Sequence, residues 1–203
     1  MAHIPDGILS APVLIGGAVI AAGGVAMALR RLEDRMVPRA AILSAAFFAG
    51  SLIAVPVGPS SVHLLFTGLM GVMLGLMAFP AVLVALLLQT VLFGFGGLTT
   101  LGVNTVNIAL PGVLLGLALG PAIRAAPPGR AAILAAVCGA LSVAGTGFLV
   151  ALSLWLSSPE FVPVAKIMLI TYVPLALGEA AVTAAAVGFL SRVQPAALRP
   201  AAI

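Results

Sequence analysis

The chain has 203 residues, of which 63% are hydrophobic and only 7% charged, with a formal net charge of +4. A soluble domain carries about 25% charged residues, so these charges are too few to cover a water-facing surface and a soluble globule is excluded. Sparse aromatics (5%) fit packed transmembrane helices rather than a barrel with aromatic girdles, and the composition predicts an all-α integral membrane protein.

The opening, MAHIPDGILS, has no basic residue before the first apolar run and does not read as a signal peptide. Asp6-Gly7 after Pro5 reads as a turn, and Ser10 as the cap of the first helix. A span needs about 20 mostly apolar residues. Seven are predicted, at 12–29, 40–56, 61–79, 80–94, 106–123, 131–156 and 164–190. The breaks between them are the charged loop RRLEDRMVPR, the turn VPVGPSS, the proline of MAFP, and the stretches RAAPPGR and SSPEFVP. The stretch FGFGGLTTLGVN is too rich in glycine and polar groups for a lipid-facing helix, and such backbone is tolerated only against protein or a cavity. One membrane domain over 1–203 is expected, with an external amino-terminal segment (1–11), a bundle (12–190) that includes a glycine-rich outer segment (94–105), and a cytoplasmic tail (191–203).

Basic residues test the count. With the amino terminus outside and the carboxyl terminus inside, Arg30, Arg31, Arg35, Arg39, Arg124, Arg130, Arg192 and Arg199 all fall on the cytoplasmic side, and only Lys166 lies outside, near Glu160. That asymmetry is what the positive-inside rule requires. A single long span over 70–92 would swap the later loops and destroy it. The same topology brings MAHIPDG, GPSSVH and FGFGGLTTLGVN to the outer surface, and so places the only two histidines, His3 and His63, on one side.

A terminal amine close to a histidine can chelate a divalent cation through the amine, intervening amide nitrogens and the imidazole, an arrangement that suits Ni²⁺ and Cu²⁺ above other ions. If Met1 is kept, its amine, the Ala2 and His3 amides and the His3 imidazole already supply four nitrogens. If Met1 is removed, the Ala2 amine and His3 supply three, and His63 is the candidate fourth. Pro59, Ser60 and Ser61 read as the cap and first turn of the third span, whose positive end would keep His63 neutral. The alternative is a pair of interfacial histidines without a ligand role.

Four stretches, HIPDGILS, SSVHLLFTGLMGVMLG, LLLQTVLFGFGGLTTLGVNTVNIALPG and VPLALGEAAVTAAAVGFLSRVQP, occur in this order over nearly the whole chain. They resemble the CbiM/NikM family, the substrate-capture (S) components of energy-coupling factor transporters for cobalt and nickel. The resemblance implies uptake of Ni²⁺ or Co²⁺ as substrate across a prokaryotic plasma membrane. It implies no prosthetic group, and partnership with a membrane scaffold (T) subunit and two cytoplasmic ATPases, whose hydrolysis of ATP drives release, plausibly by reorienting this subunit in the bilayer. It also implies the terminal amine, His3 and His63 as metal ligands. Family members usually begin Met-His, so the extra Ala2 departs from the pattern; removal of Met1 restores the register. Tyr172 stands where some relatives are expected to carry a further histidine, and takes no ligand role here.

Among the remaining residues, Thr100 and Asn104 are expected to support the histidines through hydrogen bonds, and Asp6 to serve the turn or the same support. Glu179 lies inside the last predicted span, where a carboxylate is costly and needs buried partners. Cys138 reads as a small buried hydrophobe. Alanines 18/22/26 and 41/45/49 form smooth stripes, the second being preferred for a scaffold subunit. No P-loop lysine follows the glycine-rich stretch, so nucleotide binding is not expected, and the loops are too short to add a catalytic domain, so the chain is expected to be a transport subunit and not an enzyme. Two rivals remain at this point: a structural membrane subunit that binds no metal, and an intramembrane hydrolase using Ser60 or Ser61 with His63, which lacks a carboxylate to orient the imidazole.

Overall fold

A computed structural model describes residues 3–57 and 60–199. Among these lie seven α-helices: α1 (Ala11–Arg30), α2 (Val37–Ser51), α3 (Thr67–Leu74), α4 (Ala78–Phe93), α5 (Leu101–Ala125), α6 (Pro128–Ser157) and α7 (Val162–Val193). Five stretches are long and apolar enough to cross a membrane: α1, the run Thr67–Phe93 that joins α3 to α4, α5, α6, and Pro159–Val193. The protein is thus an all-α, multi-pass membrane protein. Large apolar side chains such as Ile15, Val19, Ile133, Phe148, Ile170 and Leu177 stand outward, as lipid contact requires.

The elements alternate between two ends of the bundle. The chain near Ile4 is hydrogen-bonded to the start of α5 at Thr100 and Asn104, and the Ser10 N–H donates to Ser157 Oγ (3.1 Å) at the end of α6. These contacts define one end. At the other, the Arg39 guanidinium at the start of α2 donates to the Arg199 carbonyl (2.6 Å), after the last helix.

Three features depart from the expected elements. The second and third predicted spans are cut short by a small antiparallel hairpin, β1 (Val55–Val57) with β2 (Ser60–Val62), paired Val55 to Val62 and Pro56 to Ser61. Valine-rich sequence on both sides of the Gly-Pro pair carries as much strand as helix preference. Ser60 and Ser61 are therefore in a strand, and do not cap a helix. Second, the break between the third and fourth elements is at Gly75, whose φ of 55° and ψ of −129° suit glycine alone. Pro80 instead sits in the first turn of α4, where its missing N–H costs nothing. Third, α5 begins at Leu101, so only 94–100 of the glycine-rich stretch is irregular.

Packing explains why so short a helix as α3 is stable: all eight of its residues are buried. Its glycines let backbones touch. A Cβ on Gly71 would overlap the Gly112 carbonyl of α5, and one on Gly68 would come within 2.6 Å of Gly139 Cα in α6. This is the small-residue contact by which helices associate in lipid. Both alanine stripes, by contrast, are exposed.

Gly71→Ala forces α3 away from α5, and overpacking of this kind costs about 1–3 kcal/mol. The expected outcome is a clearly lowered melting temperature in detergent, measured by scanning fluorimetry; an unchanged value would show that the two backbones are not in contact.

Candidate metal centre

The segment before α1 folds back against the bundle because its backbone groups are claimed by side chains of the 97–104 region. The Asn104 carboxamide does this twice over. Its Oδ1 accepts the Ile4 N–H (3.0 Å) and its Nδ2 donates to the Ile4 carbonyl (3.0 Å), pairing with one residue as a neighbouring strand would. Thr100 Oγ1 also donates to the Ile4 carbonyl (2.7 Å). Asn104 and Thr100 are both buried, where each bond replaces one that water cannot supply.

Asp6 completes the tether from the surface. Its carboxylate accepts the N–H groups of Leu98 (3.2 Å), Thr99 (3.0 Å) and Thr100 (3.3 Å), and the Thr99 hydroxyl (2.5 Å). The Thr99 hydroxyl, followed by these backbone donors, holds the Asp6 carboxyl below the usual carboxylate range. Gly97 leaves room for this grip, because a Cβ at that position would overlap the Asp6 carboxylate and force it to move. The turn at Asp6-Gly7 is present as expected, with Gly7 at φ 83°.

The result is a meeting of the two histidines from opposite ends of a 60-residue separation in sequence. Their ring centroids lie 5.0 Å apart, with planes inclined by 13°. Each residue is 5% exposed. Both ring nitrogens of His3, and Nε2 of His63, are buried without a hydrogen-bond partner among the described residues. His63 Nδ1 lies 3.1 Å from the Leu64 carbonyl oxygen. Buried polar atoms are nearly always satisfied, so three bare imidazole nitrogens in one contact are an arrangement that asks for a ligand. The separation is within reach of a shared cation, since with metal–nitrogen bonds of about 2.0–2.1 Å two imidazoles on adjacent coordination positions have centroids about 4.5–5 Å apart; the stacked planes would have to tilt for both in-plane lone pairs to meet one ion.

Electrostatics point the same way. Burial, followed by the neighbouring His63 charge, pushes the His3 pKa down to about 3. Burial also lowers that of His63, partly offset by the Leu64 carbonyl. Both rings are therefore neutral and able to ligate at physiological pH. For His63 the cause is burial and not, as the sequence suggested, the end of a helix, since α3 begins four residues later. Apolar cavities flank the pair, one of about 670 Å³ beside His3, Phe93 and Phe95, and one of about 440 Å³ beside His63 and Phe66.

Other expectations are placed as follows. Met1 and Ala2 lie outside the described residues. Thr100, Asn104 and Asp6 hold the chain beside His3 and do not bond either imidazole. Among the described residues no group of three His, Cys, Asp or Glu side chains is close enough to hold a metal, so a site here would have to draw further nitrogens from the main chain. Tyr172 and Cys138 are buried. The Thr99 hydroxyl and Gly97 were not singled out by the sequence; their signal, an Asp near the start and a Thr-Thr pair after glycines, needs the fold to become legible. Glu179 is buried and accepts the N–H groups of Leu65 and Phe66, two residues beyond His63.

A family profile described as "Cobalt uptake substrate-specific transmembrane region" (CbiM) matches residues 3–197. A putative metal transport protein of Haemophilus influenzae is 34% identical over 195 residues, 95% of each chain. A fused nickel transport protein, NikMN, of Rhodobacter capsulatus is 36% identical over 124 residues, which cover 58% of this chain and 35% of that one. A crystal structure of a truncated transition metal transporter shares the fold, with a TM-score of 0.80 at 22% identity over 94% of this chain and 99% of that one.

Because both histidines are held neutral by the fold, their folded pKa values lie below the unfolded value of about 6.5. The associated stability is complete above that pH and is lost as pH falls below it. The metal-free protein should melt at progressively lower temperature from pH 7 to pH 5, and His3→Asn should flatten this dependence; an equal slope in the variant would disprove the burial of a neutral His3. Separately, Gly97→Ala should speed amide hydrogen exchange at residues 4–10, and a protection pattern like the wild type would show that Asp6 does not tether this segment.

Proposed function

This chain belongs to the family of cobalt-uptake substrate-specific transmembrane regions, a transport component of the membrane, and on that premise we propose that it captures Ni²⁺ or Co²⁺ from outside as the S component of an energy-coupling factor importer. The observation that carries this reading is the stacked, buried pair of imidazoles with unpartnered nitrogens. With Met1 removed, the ligands are the Ala2 amine, His3 through its amide and imidazole, and the His63 Nε2; with Met1 kept, its amine, the Ala2 and His3 amides and the His3 imidazole supply four nitrogens without His63. A mostly nitrogen plane favours Ni²⁺ in intrinsic affinity, and Co²⁺ remains the second candidate cargo. The family's description speaks for cobalt and the name of the Rhodobacter relative for nickel.

Support for the orientation comes from the arginines. Arg30, Arg31, Arg35, Arg39, Arg124, Arg130, Arg192 and Arg199 belong to the loops and tail of the end opposite the histidines, while Lys166 belongs to the histidine end. A bundle of seven membrane helices with the amino terminus outside fits that distribution. Asp6, Thr100 and Asn104 act behind the ligands by fixing residues 4–6, in the manner of outer-shell groups at metal sites. The partners in this reading are a membrane scaffold subunit and two cytoplasmic ATPases, and ATP hydrolysis belongs to those partners.

Titration of Ni²⁺ or Co²⁺ into purified protein with its native amino terminus tests the site, with the mass of that terminus measured in parallel. An amino-terminal tag, His3→Ala and His63→Ala should each weaken binding by about 100-fold or more, beyond the 10–100-fold typical of supporting residues. Undiminished binding by the tagged protein would refute the chelate, and two silent histidine variants would favour a structural subunit without metal.

A further inference from the structure

Glu179 is a carboxylate in the middle of α7, fully buried, in a part of the chain where an ionisable group calls for a specific partner. Its Oε1 accepts the N–H groups of two consecutive residues, Leu65 and Phe66 (2.8 Å for Phe66), more than 110 positions away in sequence. Consecutive amides converging on one anionic oxygen form the nest that turns of this kind make. Phe66 is the one described non-glycine residue with positive φ (52°), a conformation rare for a bulky side chain. It persists here because the turn is held from outside.

The peptide unit between Leu64 and Leu65 joins two contacts. Its N–H donates to Glu179, and its C=O is the oxygen that faces His63 Nδ1 at 3.1 Å. A trans peptide is planar, with N–H and C=O pointing in opposite directions, so fixing one fixes the other. A carbonyl can only accept, so His63 must carry its proton on Nδ1, leaving Nε2 bare. Nε2 is the buried His63 nitrogen without a partner. Metal-binding histidines commonly donate their second nitrogen to a carbonyl or carboxylate that sets the tautomer; here a carboxylate acts on such a carbonyl through one rigid peptide.

We propose that Glu179 is the positioning residue of His63: through the Leu64–Leu65 peptide it holds the imidazole in the Nδ1–H tautomer, with Nε2 left unprotonated. The importance of this tautomer for cargo rests on the capture reading above, while the tautomer itself does not. The relay also makes α7 part of the site, because the His63 loop is latched to a helix that carries neither histidine.

The test uses the full-length protein labelled with ¹⁵N-histidine, whose two imidazoles are the only ones in the chain. In the metal-free wild type, His63 should show a protonated Nδ1 and a bare Nε2. Glu179→Gln keeps an oxygen acceptor and should retain that tautomer, whereas Glu179→Leu should give mixed tautomers and lower Ni²⁺ affinity by about 10–100-fold. In a His63→Ala background the leucine substitution should cost nothing further, whereas a merely structural role would lower affinity in both backgrounds. If Glu179→Leu yields no folded protein, Glu179→Asp, which withdraws the oxygen by one methylene, should show the mixed tautomers instead. A retained tautomer in the leucine or aspartate variant would overturn the proposal. A silent His63→Ala would overturn the capture reading and leave the tautomer experiment to decide this one.

Discussion

The grip of one buried carboxamide on the backbone of one residue underlies this architecture. Asn104 takes both the N–H and the C=O of Ile4, so the residue after His3 has no freedom to rotate. Ordering an extended segment costs about 1–2 kcal/mol per residue in backbone entropy, and residues 3–9 have no helical hydrogen bonds to offset it. They are kept in place by side chains from elsewhere: Asn104 and Thr100 on Ile4, Asp6 on the 98–100 amides, Ser157 on Ser10. Ile4 and Leu9 add burial against Val103, Val150 and Leu154. Loss of the carboxamide would leave the buried Ile4 N–H unpaired and the Ile4 carbonyl with Thr100 as its one remaining donor, and the segment that carries His3 would lose its main anchor.

The two imidazoles are accordingly held by different means. His3 is positioned by a tethered segment that contributes little to the bundle. His63 is positioned by a turn wedged between α3 and α7, with the left-handed Phe66 and the buried Leu65 on either side of the Glu179 contact. One half of the pair thus depends on side chains at and before the start of α5, the other on a carboxyl group of the last helix. This division fits a centre that assembles only when the chain's beginning and its last helix are both in place.

How far the residues foretold this differs by element. The apolar stretches that form α1, α5, α6 and α7 were legible because lipid imposes one simple demand, about 20 apolar residues per crossing. The hairpin at Val55–Val62 was not, because valine, proline and serine in a short run read equally as a helix end. The Gly75 break was misplaced onto Pro80, since a proline looks like a stop until it is known to occupy a first turn. His3, His63, Asp6, Thr100 and Asn104 were singled out from residue type and sidedness, and they lie at one end of the bundle. What they bond to was not recoverable, because contacts over about 100 residues leave no local trace. Glu179 was noticed for its cost, and its partners are backbone amides, which every residue but proline carries and no sequence pattern marks.

Directly beyond the histidines lies α3, buried on every side and in backbone contact with α5 and α6 through Gly71, Gly112, Gly68 and Gly139. Groups that already touch main chain to main chain cannot thin out to let an ion through; they can only separate. A cation resting between the imidazoles therefore faces a solid floor, and its departure in any direction but back the way it came would require helices to come apart or the entire body to tip over with its cargo.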